Sequence, residues 1–383
     1  MSSPTRILKQ YFISFISIIC FLQGCGCIVL FQIVILTVYS KHENKLKLSL
    51  RKSKEAFIIL LMCVMSVIAP SSIRITTDDK SMSLENFRFN KQLKHVESNL
   101  NQRSIFIANH QLYTDWIYLW KIAYTSNFGG DVYIFAKKAL KKIPIFGYAM
   151  TNYNFIFLDR NWVKDKNIII RKLISILNYS TISNKNENDA SSRNLPYCFI
   201  IFPEGTTLCK KAEIRSMEYA KKLGRRNFKH IVTPHTKGLR LLLTSLDKNI
   251  EKIYDLTVGY SGLKYGTYGE DEYSLKQMIY HGKSPKLVDI HIKSIEVKDI
   301  PYQDEKQFQA WLFDLWEEKD KLLKGYYQLG HFDVDPNFST TTIDPFKMTL
   351  KEVIIAAVFI IASGSIFFYL YSNINNLKIS YIL

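Results

Sequence analysis

The sequence predicts an α/β fold: a central, mostly parallel or mixed sheet flanked by helices, with an N-terminal membrane hairpin and a C-terminal transmembrane helix. Three observations carry this. Between about residues 71 and 346, short β-branched apolar runs alternate with stretches of helical period, the pattern of layered α/β domains. Polar turns containing His, Glu, Gly or Pro follow several of those runs, at the strand ends where open α/β sheets hold ligands. Long apolar segments stand near both termini. A chain of 383 residues has room for one globular domain of roughly 200 to 250 residues besides such segments.

Residues 11 to 39 are almost uninterruptedly apolar, with Arg6 and Lys9 before them, and exceed the roughly 20 residues a spanning helix needs. The run is too long for a signal-peptide core and has no clear small-residue cleavage site, so a membrane anchor is expected. Gln23, Gly24 and Gly26 interrupt it and leave a bent or re-entrant hairpin open beside a straight span. Lys41, Lys45, Lys47, Arg51, Lys52 and Lys54 then form a cationic loop. Residues 56 to 69, closed by Pro70, are a second apolar run, short for a span and expected within one leaflet or against the first. Positive charge places the loop in the cytosol; two full spans would carry the rest of the chain to the lumen, so one segment is expected not to cross.

Strands are expected at residues 104 to 108, 132 to 136, 155 to 158, 197 to 202, 253 to 260 and 288 to 295. Residues 178 to 196 are polar and low in complexity, a mobile loop by composition. Residues 308 to 327 read as an amphipathic helix with Trp311, Leu312, Leu315, Trp316, Leu322 and Leu323 on its apolar side. Residues 353 to 371 are apolar over a spanning length, with Lys347 and Lys351 before them. The expected division is therefore an anchoring region at 1–70, a catalytic domain at 71–332, a linker at 333–352 and a transmembrane helix with its tail at 353–383.

The formal net charge of +17 suits nucleic acid, an anionic membrane surface or a polyanionic small molecule. No nucleic-acid recognition motif accompanies it, and the apolar ends favour membrane lipid as the partner. The six cysteines show no C-x-x-C spacing and no His-rich neighbourhood, so neither a zinc site nor a disulfide framework is expected.

The most informative stretch is Asn109-His110-Gln111-Leu112-Tyr113-Thr114-Asp115-Trp116, set between a buried strand and an apolar helix start. Five residues on a continuous helix turn through about 140°, so His110 and Asp115 would not face each other there. A helix beginning only near Tyr113 lets the imidazole fold back onto the Asp115 carboxylate. That pairing fixes one tautomer and frees the other nitrogen to take a proton from a hydroxyl. No obvious Ser or Cys nucleophile accompanies the pair, so the hydroxyl would belong to a substrate and direct acyl transfer is the natural reaction class. Helix capping is the plainer reading of the same residues.

Phe202-Pro203-Glu204-Gly205-Thr206-Thr207 follows another apolar strand. Gly205 allows close approach of backbone to a ligand, the hydroxyls of Thr206 and Thr207 can donate to phosphate or a glycerol oxygen, and Glu204 can accept from a substrate hydroxyl. Arg160, just after a third strand, has the planar fork that clamps phosphate bidentately. Lys137, Lys138, Lys141 and Lys142 precede it, and residues 231 to 238 supply one more strand-end turn, with His235 and Lys237.

These four elements in this order resemble the glycerophospholipid acyltransferase superfamily. His110 and Asp115 match its His-x4-Asp motif, Arg160 the arginine of its second motif, Glu204 and Gly205 its Glu-Gly-Thr motif, and Pro234 the proline of its fourth block. Asn109-His110-Gln111, the Ile-Pro-Ile-Phe-Gly block with Arg160-Asn161-Trp162, and the 311 to 327 segment are similar to the lysocardiolipin and lysophosphatidylinositol acyltransferase branch. The resemblance implies His110 as base, Asp115 as its partner, and Arg160, Glu204, Gly205, Thr206, Thr207 and Asn109 around the acceptor. It implies acyl-CoA as co-substrate with no other cofactor, a lysophospholipid acceptor, and an endoplasmic-reticulum membrane protein with a cytosolic catalytic domain. Two departures stand out: Thr207 where many lysophosphatidate acyltransferases carry Arg, which favours a diester head group, and His235 where Arg is common. Phosphatidate synthesis, a hydrolase or another acyl donor, and a non-catalytic anionic-lipid tether are the alternative readings. Asn178 and Asn337 head glycosylation sequons if lumenal.

Overall fold

The computed structural model describes residues 4–78, 80–159, 161–182, 193–337, 339–345, 347–362 and 364–365. Its helices are α1 (Pro4–Val38), α2 (Glu43–Ile68), α3 (Asp115–Thr125), α4 (Phe146–Asn152), α5 (Trp162–Ser180), α6 (Lys210–Lys222), α7 (Thr236–Leu246), α8 (Gly269–Tyr273), α9 (Leu275–His281) and α10 (Glu305–Leu329). The strands are β1 (Ser72–Asp78), β2 (Phe87–Asn90), β3 (His95–Ser98), β4 (Arg103–Ala108), β5 (Val132–Lys137), β6 (Ile156–Leu158), β7 (Thr181–Ile182), β8 (Arg193–Asn194), β9 (Tyr197–Ile201), β10 (Lys252–Tyr260), β11 (Leu287–Glu296) and β12 (Thr341–Asp344).

Eight strands form one sheet in the order β12-β1-β11-β10-β4-β9-β5-β6. The run from β10 to β6 is parallel throughout, so the carboxyl ends of five strands share one edge. The switch to antiparallel pairing comes between β10 and β11. Each expected strand is found within a residue or two of its predicted ends. β4 shows why the sheet is buried on both faces: Ile105 and Ile107 enter one core, Phe106 and Ala108 the other. The first core is shared with α5, α7 and α10, the second with α1, α2 and α3.

α1 runs without a break, so the interruption at Gln23 to Gly26 makes no re-entrant bend. A Cβ on Gly24 would stand 2.6 Å from Leu60 Cδ2, so the missing side chain lets α2 close against α1. Gln32 is fully buried, accepting from Asn152 Nδ2 at 2.9 Å. Leu8, Phe12, Phe15, Val34 and Val38 face outward, and Ile7–Val38 is a candidate membrane span by length and composition. The cationic stretch expected as a loop is instead the first half of α2. There Arg51 Nε meets Asp131 Oδ1 at 2.7 Å, and the buried Lys54 lies 4.0 Å above the Tyr133 ring. Burial pushes the Lys54 ammonium down to about 7.

Two expectations change at the other end. The stretch read as a linker, 333–352, contains β12, which closes the sheet against β1 and brings Asp344 within 3.5 Å of Lys121. Four residues, Thr-Thr-Ile-Asp, carry too short a pattern to be recognised alone. Of the expected transmembrane run 353–371, residues 353–362 and 364–365 are helical and the rest lie outside the described residues. Glu352 accepts from the Tyr124 hydroxyl at 2.7 Å, and Phe359 meets Phe31 of α1 at 6.4 Å. The mobile loop expected at 178–196 likewise falls largely outside the described residues, at 183–192.

Candidate active site

β4 ends at Ala108 and α3 begins at Asp115, so the turn between them is longer than the sequence suggests. Within it the His110 ring folds back, its Nδ1 3.0 Å from Asp115 Oδ2. Asp115 is completely buried and accepts further from the backbone N–H of Gln111 at 2.7 Å, from that of Leu112 at 3.1 Å and from the Tyr260 hydroxyl. Four donors converge on a carboxylate that needs them, because an unpaired buried charge is costly. Tyr260 is held protonated by burial and by the neighbouring Asp115 charge. A carboxylate with only acceptor capacity makes Nδ1 the protonated nitrogen of His110, which leaves Nε2 as a free base. Phe202 stacks on the ring at 4.2 Å and 19°, fixing its plane.

The Glu204 turn sits beside His110. Leu208 N–H donates to the His110 carbonyl at 2.8 Å, and His235 N–H donates to the Pro203 carbonyl at 2.8 Å, so three turns are tied together. Gly205 has φ +69°, a left-handed backbone that suits glycine, and its position is exposed. Thr206 is half-buried and Thr207 buried. Glu204 departs from the expected acceptor role: it is 1 % exposed, and among the described residues no donor meets either carboxyl oxygen in good hydrogen-bond geometry. Burial pushes it well above the usual carboxylate range, against the pull of the His110 and Val232 backbone, Lys319 and the Trp316 indole. It lies beneath the turn.

Asn109 also turns inward. Its amide donates to the Val258 carbonyl at 2.9 Å and accepts from Val258 N–H at 2.8 Å with no exposure, which makes it a tie between β4 and β10. Arg160 lies outside the described residues. Its neighbours form a clamped turn: Asp165 accepts from the N–H of Asp159 at 2.8 Å and of Asn161 at 2.9 Å, and Asn161 caps α5. Lys138 pairs with Asp159 at 2.7 Å on the surface. Residues 231–235 follow no strand and lead into α7. In the Ile-Pro-Ile-Phe-Gly block, a Cβ on Gly147 would fall 2.0 Å from the Lys141 carbonyl oxygen, so only glycine fits.

Sequence reasoning missed Phe202, Tyr260 and Glu270. Phe202 follows strand β9 inside a motif already singled out, whereas Tyr260 and Glu270 reach the site from about 150 residues away and leave no local signal. Glu270 accepts from the Tyr113 backbone N–H, and burial lifts its carboxyl to about 7. The unfolded carboxyl titrates near 4.5, so the folded chain binds the extra proton between those values. That contribution is present below pH 4.5 and lost as pH rises through 7. Melting temperature measured from pH 5 to 8 is therefore expected to decline more in the wild type than in Glu270→Gln; parallel curves would show that Glu270 does not titrate in this range.

The family model described as Acyltransferase matches residues 86–261, and that described as Acyltransferase C-terminus matches residues 279–358. A 2-acyl-1-lysophosphatidylinositol acyltransferase of Saccharomyces cerevisiae is 41% identical over 362 residues, 89% of this chain and 91% of that protein. The probable 1-acyl-sn-glycerol-3-phosphate acyltransferase 5 of Arabidopsis thaliana is 30% identical over 264 residues, 69% of this chain and 62% of its own length. The lysocardiolipin acyltransferase 1 of Mus musculus is 28% identical over 287 residues, covering 71% of this chain and 68% of that protein.

Proposed function

The chain belongs to the lysophospholipid acyltransferase family, and we propose that it moves a fatty acyl group from acyl-CoA to the free hydroxyl of lysophosphatidylinositol at a membrane. The observation that carries this is the His110 ring, pinned by Asp115 on one nitrogen and Phe202 on one face, with Nε2 left to act. Nε2 takes the hydroxyl proton, the oxygen attacks the thioester carbonyl, and backbone N–H groups of the two strand-end turns hold the oxyanion. The carbon–sulfur bond then breaks, and the imidazolium returns the proton to the leaving thiolate. No metal enters this sequence.

Arg160 and the 205–207 turn hold the acceptor phosphate in this reading. Glu204 and Asn109 support the turns from below. The lysophosphatidylinositol head group is favoured by the S. cerevisiae relative and by Thr207, which gives a bare phosphomonoester no bidentate partner. The exposed apolar face of α1 suits a bilayer anchor, and an endoplasmic-reticulum location with the catalytic domain on the cytosolic side gives access to acyl-CoA. The A. thaliana relative keeps lysophosphatidate as the competing acceptor. CoA release by purified protein, measured with lysophosphatidylinositol, lysocardiolipin, lysophosphatidate and lysophosphatidylcholine, tests the proposal. Highest kcat/KM with lysophosphatidylinositol is expected; preference for lysophosphatidate would move the chain to phosphatidate synthesis, and CoA release without any lysolipid would make it a hydrolase.

A further inference from the structure

On the α10 face of the sheet, opposite the core that α1 shares, a cavity of about 340 Å³ opens between the 224–230 turn and the second half of α10. Its wall carries Arg225, Arg226, Lys229, His230, Lys321 and Lys324, and Tyr265 and Phe313 add aromatic surface. Three carboxylates, those of Asp314, Glu317 and Asp320, share the rim. Asp320 is committed to the backbone N–H groups of Lys229 and His230, at 3.0 and 2.7 Å, and Glu317 to Lys321 at 2.9 Å. Among the described residues Arg225, Arg226, Lys229 and Lys324 enter no salt bridge.

A solvated cationic surface needs no buried partner, and this one has one. His230 is 5 % exposed, lines the cavity, and its Nε2 has no hydrogen-bond partner among the described residues. The ring lies 5.3 Å from that of Tyr265 and 5.3 Å from that of Tyr327. Its carbonyl accepts from Gln111 Nε2 at 3.3 Å, and the Tyr327 hydroxyl donates to Gln111 Oε1 at 3.1 Å. The floor of the cavity is thus bonded to the residue next to His110. Two arginines consecutive in sequence, Arg225 lying 5.5 Å over the Phe313 ring, with a buried imidazole and an aromatic wall, make a receptor for a nucleotide, since guanidinium forks take phosphate oxygens bidentately and the rings stack on the base.

We propose that this cavity binds the phosphorylated nucleotide end of the thioester donor. The nucleotide then sits on the α10 face, joined to the His110 turn through the buried Gln111 side chain, and the acyl arm runs over the surface to His110. This rests on acyl-CoA being the donor.

The test uses full-length protein in detergent micelles, as wild type, Arg225→Ala/Arg226→Ala and Lys324→Ala. All three side chains are exposed, so folding is spared. Adenosine 3′,5′-bisphosphate, titrated calorimetrically, is expected to bind the double variant at least tenfold more weakly and Lys324→Ala several-fold more weakly. In turnover, the KM for acyl-CoA should rise tenfold in the double variant with the KM for lysolipid unmoved, and the variant should no longer distinguish acyl-CoA from acyl-dephospho-CoA. Equal nucleotide binding by wild type and double variant overturns the proposal. A rise in the lysophosphatidylinositol KM alone overturns it too, and assigns the cavity to the lipid phosphate. Failure of every lysolipid to release CoA removes the transferase reading instead, and the nucleotide titration then decides the cavity on its own.

Discussion

His110→Ala should lower acyl transfer by about 10³-fold or more at unchanged expression and thermal stability, because it removes the general base while leaving the fold intact. The imidazole is partly exposed at 17 %, and its loss uncovers Phe202 without opening the core. Asp115→Asn is the sharper test. Asp115 receives His110 Nδ1–H, two backbone N–H groups and the Tyr260 hydroxyl, so an amide must turn its own N–H toward at least one donor. If the amide N–H meets the ring, Nδ1 becomes the acceptor and Nε2 carries the proton, the tautomer that cannot act as base. A loss of about 10² to 10⁴ in kcat follows. A stability loss of about 1 to 3 kcal/mol accompanies it if a buried donor is left unmatched. Tyr260→Phe removes one of four donors and keeps the tautomer, so it should cost far less activity than Asp115→Asn. Acyl transfer by His110→Ala within tenfold of wild type would sink the base assignment; equal losses in Asp115→Asn and Tyr260→Phe would reduce Asp115 to a structural cap.

The strands were legible because their signal is local. β4, β9 and β10 are dense apolar runs bounded by turn residues, and a strand buried on both faces is apolar at most positions, Asp255 and Thr257 of β10 being exceptions that Lys319 satisfies. The His110 and Asp115 pairing was legible for the same reason, since five residues of sequence hold both partners. What escaped depends on distance along the chain. Tyr260 reaches Asp115 because β10 pairs with β4 in parallel, and nothing near residue 260 announces it.

The inward rotation of Glu204 and Asn109 has a different cause. Both stand at the end of a buried strand, where the next residue can face the cleft or the interior. Asn109 finds the unpaired backbone of Val258 and is captured by it. Glu204 finds Trp316 and Lys319 of α10, a helix more than 100 residues later. β12 was read as linker because Ile343 is the sole large apolar residue among its four and is itself exposed, while the residue it buries is Asp344, beside Lys121.

Lys319 carries the second large expected effect, on stability. Its ammonium is wholly buried in the middle of α10, 2.7 Å from Asp255 Oδ1, and donates to the Leu256 carbonyl at 2.9 Å and the Thr257 hydroxyl at 3.0 Å. Burial draws both partners toward their neutral forms, Asp255 upward and Lys319 downward, so the pair survives only because each offsets the other. Lys319→Met strands the Asp255 carboxylate and should lower stability by about 3 to 5 kcal/mol. Lys319→Met/Asp255→Leu replaces both charges with apolar volume and should recover most of that loss in denaturant unfolding. If the double variant is no more stable than the single one, the loss comes from packing of the lysine stem. Activity separates two further roles. Lys319 fixes β10 at Leu256 and Thr257, directly before Val258 and Tyr260, which hold Asn109 and Asp115. Recovery of turnover together with stability would mean that α10 needs only to press β10 into place. A stable double variant with depressed kcat would mean that the ammonium itself, as the buried cation beside Glu204, keeps the turns around His110 in register.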